Sequence, residues 1–60
     1  MPFEIWDCGE KNLINVVDTR EEAIGICGNH NTPKFRYARE QGIPWAYMLD
    51  ELLHFKEVLT

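Results

Sequence analysis

Apolar and polar residues alternate over Phe3-Glu4-Ile5-Trp6-Asp7, a run rich in β-formers, and this spacing predicts a strand. Leu13-Ile14-Asn15-Val16-Val17 predicts a second strand. Between them, Cys8-Gly9-Glu10-Lys11-Asn12 has the length of a hairpin loop, with Gly9 and Asn12 expected to supply its positive φ. Residues 1–18 therefore read as a β-hairpin. Two strands alone are not stable in water, so something later in the chain must cover one face.

Thr19-Arg20-Glu21-Glu22 is a capping box, with the Thr19 hydroxyl at the N-cap and Glu22 three residues on. It predicts a helix with the narrow apolar stripe Ala23, Ile24 and Cys27, stopped at Gly28-Asn29. Gly25 weakens that helix by ~1 kcal/mol relative to Ala, so it depends on packing. Thr32 and Pro33 form a second start signal, for a helix running to Gln41 that buries Phe35 and Ala38 and ends at Gly42. From Pro44 onward, Trp45, Met48, Leu49, Leu52, Phe55 or Lys56, and Leu59 follow helical spacing, while Asp50, Glu51, His54 and Glu57 lie largely away from that face. Leu53 and Val58 widen the apolar face beyond what one small core needs. A rival parse makes Ile43–Met48 a buried strand, with Asp50 capping a shorter helix. The expected fold is α+β over residues 1–60: a hairpin (1–18) against two or three short helices (19–60), in the order ββααα or, by the rival parse, ββααβα.

Sixty residues bury only ~60% of the surface that the unfolded chain exposes. With 45% apolar residues and seven aromatics the chain is still a folding sequence. So small a core points to a second copy or a partner as a source of stability. The formal net charge of −4 sits entirely in residues 1–30, where Lys11 and Arg20 face Glu4, Asp7, Glu10, Asp18, Glu21 and Glu22. Residues 31–60 are balanced. An acidic chain is a poor match for phosphate and a good one for a basic protein partner. Residues 1–20 lack a basic start followed by an apolar stretch, so no secretory leader is expected. The longest wholly apolar run, Trp45–Leu49, is too short for a membrane. Two cysteines do not make a secreted disulfide framework, and a cytoplasmic setting follows as the expectation.

Catalytic chemistry finds little support. The chain has no Ser, which excludes a Ser-His-Asp arrangement. Glu21-Glu22 and Asp50-Glu51 are adjacent in sequence and read as caps and solvated faces. Gly25 and Gly28 do not make a phosphate loop, and no cofactor is implied. Cys27-Gly28-Asn29-His30 has the gap of a zinc knuckle, with Cys8 and His54 available to complete a set. A convincing site would show a second close pair, so no metal is expected.

The stretch Tyr37–Met48 resembles helix-turn-helix proteins in spacing. Ala38 is the small residue of the first helix, Gly42 the turn, and Ile43 and Met48 the apolar positions after it. That resemblance implies a second helix in the major groove, with Lys34, Arg36 and Arg39 on backbone phosphate. The chain departs from the pattern where such a helix begins, offering Trp45, Ala46 and Tyr47, then Asp50 and Glu51. Thr32-Pro33-Lys34, Ala38 and Gly42-Ile43-Pro44 also resemble the late part of BRCT domains, which implies a buried strand after the turn and Lys34 as a phosphate ligand. The chain lacks that family's first helix and carries Leu52 or Leu53 where its final helix has Trp.

Trp6, Trp45, Tyr47 and Phe55 are large for this core, and Trp and Tyr dominate interface hot spots. The expected function is that of a small, acidic, non-catalytic module that binds a protein partner. An inhibitor or accessory regulator of bacterial or phage type fits, forming a homodimer and using Trp6, Tyr47, Leu53 and Val58. The alternative is a helix-turn-helix DNA-binding regulator.

Overall fold

The computed structural model describes residues 2–58. Strands β1 (Phe3–Asp7) and β2 (Leu13–Val17) form the hairpin, helix α1 spans Arg20–Gln41, a single 3₁₀ turn covers Trp45–Met48, and β3 spans Leu53–Glu57. The fold is α+β: a three-stranded antiparallel sheet in the order β2-β1-β3 with one helix on one face.

The hairpin forms as its alternation predicts, but the loop chemistry differs. Glu10, not Gly9 or Asn12, takes the positive φ, at 55°. Its N–H closes the turn onto the Asp7 carbonyl at 2.9 Å. Gly9 is required for space: a Cβ there would lie 2.9 Å from Asp50 Oδ1. The Asp7 carboxylate knits the loop, accepting from Lys11 N–H at 2.8 Å and Asn12 Nδ2 at 3.1 Å. Donation from the Lys11 backbone is the main cause holding the Asp7 carboxyl below its ordinary value of 3.8.

The two expected helices of residues 19–41 are one. Thr19 caps its start, accepting from Glu22 N–H at 3.2 Å. The helix does not stop at Gly28 because that residue keeps negative φ; Gly42, at φ 68°, is the glycine in the left-handed conformation. There the Gly42 and Ile43 N–H groups bond the Arg39 and Ala38 carbonyls at 3.3 and 2.9 Å, closing a Schellman motif. Pro33 lies inside the helix. It costs the Asn29 carbonyl its intrahelical bond, and Asn29 is exposed, so that carbonyl is open to solvent. Tertiary bonds hold the weak segment helical. His30 Nε2 donates to the Glu51 carbonyl at 2.7 Å, and Asn31 clamps Leu53 through two bonds, Nδ2 to the carbonyl at 2.7 Å and N–H to Oδ1 at 2.8 Å. Pro33→Ala is therefore expected to stabilise the fold by about 1–2 kcal/mol by restoring the bond to Asn29. Urea denaturation measures it; a loss of stability would mean that Pro33 starts a separate helix.

The third helix expected from Pro44 does not form, nor does the rival strand at Ile43–Met48 with a following helix. Leu53 and Phe55 face α1 while His54 and Lys56 face away, a period of two. As a strand this segment bonds the free edge of β1, which the hairpin alone leaves unpaired. Leu59, the last position of the expected helical stripe, lies outside the described residues.

The core has two parts. Ile5, Val17, Ala23, Cys27 and Leu53 pack between sheet and helix, with Phe3, Ile26 and Phe55 at their margin. Phe3 and Phe55 meet edge to face, their centroids 6.0 Å apart. Ala38, Met48 and Leu52 form a second cluster under the C-terminal half of α1, with Cys8 and Ile43 beside it. No helix of the described residues is long and apolar enough to cross a membrane.

Candidate partner-docking face

Because α1 lies on one face only, no element of the described residues covers the other face of the sheet. Strand register assigns its residues in two rows: Leu13–Trp6–His54 and Val16–Glu4–Lys56. A β-bulge builds the first row. Register slips between Ile5 and Trp6, so that Asn15 opposes Ile5 and Leu13 opposes Trp6, with Ile14 left over. The slip brings Leu13 beside Trp6 and sends Ile14 to the helix side, where it lines a cleft with His30 and Lys34.

The face has an apolar corner and a charged rim. Leu13 and Val16 are 47% and 51% exposed, with no charged residue between them on β2. Trp6 is half-buried and fixed on two sides. Its Nε1–H donates to Glu4 Oε1 at 3.2 Å, and Lys56 Nζ stands 5.0 Å from the ring centroid. Glu10 gathers the rim, with its Oε1 3.3 Å from Lys56 Nζ and 3.4 Å from His54 Nε2. Each such exposed pair contributes little stability, ~0–1 kcal/mol. Their effect is orientation: Lys56, held by Glu10, and Glu4 fix the indole between them. The left-handed Glu10 thus aims its carboxylate at this rim.

The residues expected to bind a partner separate. Trp6 lies at the centre of the open face. Val58 continues the line of His54 and Lys56, its N–H on the Pro2 carbonyl at 2.9 Å. Tyr47 is 82% exposed, but on the 3₁₀ turn and not on the sheet. Leu53 is corrected: it is 8% exposed, faces α1 and belongs to the core, because strand alternation places it opposite His54. Leu13, Val16, Glu10 and Lys56 were not singled out from the sequence. Neither Leu13 nor Val16 has a local mark: β2 is apolar at every position but Asn15, which opposes Ile5, and the bulge that turns Leu13 to this face leaves no signal in the sequence.

The three cations proposed for phosphate also separate. Lys34 pairs with Glu51 Oε1 at 3.7 Å, whereas Arg36 and Arg39 line a hollow with Thr32 and Phe35 on another side of α1. After Gly42-Ile43-Pro44 comes the 3₁₀ turn, so neither a recognition helix nor a strand follows directly.

Two shallow clefts of about 430 and 340 Å³ flank His30, Lys34 and Glu51. The shared groups are spent on one another, His30 on the Glu51 carbonyl and Lys34 on its carboxylate. Neither thiol lines these clefts. Burial raises the Cys27 pKa, with the neighbouring Cys8 adding to it, and burial then the Asp7 charge raise that of Cys8. The residues weighed as a zinc knuckle lie as follows: His30 is on Glu51, His54 is across the sheet with Glu10, and both cysteines are free. Among the described residues no three His, Cys, Asp or Glu side chains are grouped to hold a metal.

No family model, curated protein or solved structure matches this chain, so the open sheet face stands on its geometry alone as the candidate site.

Proposed function

We propose that this chain is a non-catalytic protein-interaction module, an inhibitor or accessory regulator in kind, that docks a protein partner on the uncovered face of its sheet. The observation that carries the reading is a pre-oriented Trp6 beside exposed Leu13 and Val16 on a face that no element of the described residues covers. An aromatic anchor flanked by apolar surface and ringed by polar groups is the usual anatomy of a binding hot spot. The partner's contact surface is apolar at its centre and polar at its rim, because Glu4, Glu10, His54 and Lys56 ring the apolar corner. Free thiols suit a reduced, cytoplasmic setting.

The test is a tagged pull-down from source-cell lysate, with and without nuclease, using the native chain and a Trp6→Ala/Val16→Asp variant. Both side chains lie off the core, so the variant is expected to keep its far-ultraviolet circular dichroism. A stoichiometric protein held by the native chain in both conditions and lost by the variant supports the reading. Equal retention by both chains, or retention only while nucleic acid is intact, would overturn it.

A further inference from the structure

The outer face of α1 carries a separate pattern. At about 100° per residue from the buried Ala23 and Cys27, Glu21, Gly28, Thr32 and Arg39 stand on the side away from the sheet. Ile24 and Phe35 run along one flank of that face, and Gly25 and Arg36 along the other. Ile24 and Phe35 are 49% and 46% exposed. Arg36 and Arg39 line a hollow of about 270 Å³ with Thr32 and Phe35, and neither has an ion-pair partner among the described residues.

About a midpoint near His30 this face is complementary to itself. A carboxylate (Glu21) stands at one end and guanidiniums (Arg36, Arg39) at the other, and the two exposed apolar residues lie at nearly equal distances from the middle. We propose that it binds a second copy of this chain as an antiparallel, two-fold helix pair. Glu21 of one copy meets Arg39 of the other, Ile24 meets Phe35, and Gly28 meets Thr32, each contact occurring twice. A parallel pair would set carboxylate on carboxylate and guanidinium on guanidinium, so charge selects the antiparallel arrangement. Nothing on the face holds the second helix off: a Cβ at Gly25 or Gly28 would meet no atom within 4 Å. The contact from Glu21 to Arg39 runs about 27 Å along the axis. The uncovered sheet faces both point outward in this dimer, so the pairing does not depend on the docking role of Trp6.

Sedimentation equilibrium over a range of concentrations tests the pairing. The native chain is expected to dimerise, and Gly28→Leu to raise the dimer dissociation constant at least about tenfold, as a bulky side chain enters a close contact. The fold tolerates this substitution because the site is open in the monomer; unchanged circular dichroism checks that. Glu21→Arg and Arg39→Glu are each expected to weaken the dimer several-fold, and their combination to restore it. A native chain that stays monomeric would overturn the proposal. So would a dimer indifferent to Gly28→Leu, a charge-swapped double variant no tighter than the singles, or a dimer lost on Trp6→Ala with Gly28→Leu silent.

Discussion

Leu53→Asp is expected to leave the chain unfolded. Leu53 touches the centre of the main core, with Ile5, Val17, Ala23 and Cys27, and its removal from water contributes about 2–3 kcal/mol. An aspartate there adds the cost of a carboxylate with no partner, several kcal/mol more. Sixty residues hold roughly 3–9 kcal/mol of total stability, so the substitution exceeds or equals what is available. Circular dichroism with a urea titration reads the result directly: no cooperative transition. The comparison with the open face is informative. Trp6→Ala is expected to keep the transition and lose the partner, whereas Leu53→Asp loses both. A folded Leu53→Asp protein would put Leu53 on the surface and reverse the direction in which β3 alternates.

Asn31→Leu is expected to cost about 2–4 kcal/mol, the second largest effect. Asn31 uses its amide as a short strand would, accepting from Leu53 N–H and donating to Leu53 C=O at the outer edge of β3. Leucine fills a similar volume but leaves both backbone groups unpaired in a half-buried setting, each at about 1–2 kcal/mol. Hydrogen exchange gives a residue-level readout, with the Leu53 amide losing its protection. Asn31→Asp separates the two bonds, because a carboxylate still accepts from the N–H and cannot donate to the carbonyl. Its Leu53 amide is expected to stay protected while stability falls. Unchanged stability and exchange in Asn31→Leu would mean that the helix does not terminate the edge of β3. The same clamp spends the outward groups at Leu53 and leaves charged residues, Lys56 and Glu57, on the rest of that strand, which guards an exposed edge against pairing with other chains.

The open sheet face and the clamp show how much was legible in the chain and how much was not. Trp6 as an outward aromatic follows from the alternation in β1. Its neighbours Leu13 and Lys56 do not, since one depends on a bulge in β2 and the other on β3 pairing with β1. Arg36 and Arg39 read as a local cluster with Lys34 in the sequence. In the helix they diverge, because residues two apart point in opposite directions and Lys34 is drawn to Glu51.

The sequence by itself determined the elements whose signals are local: the hairpin, through alternation and a short loop; the start of α1, through the Thr19 cap; and its end, through the left-handed Gly42. These depend on interactions within a few residues, which spacing and capping chemistry encode. Only the tertiary structure decided that α1 runs through Gly28 and Pro33 and that residues 53–57 are a strand. Both outcomes depend on bonds between residues more than twenty positions apart, Asn31 and His30 to Leu53 and Glu51, and β1 to β3. Helical and strand spacings are nearly balanced in Leu49–Val58, and the unpaired edge of β1 tips that balance.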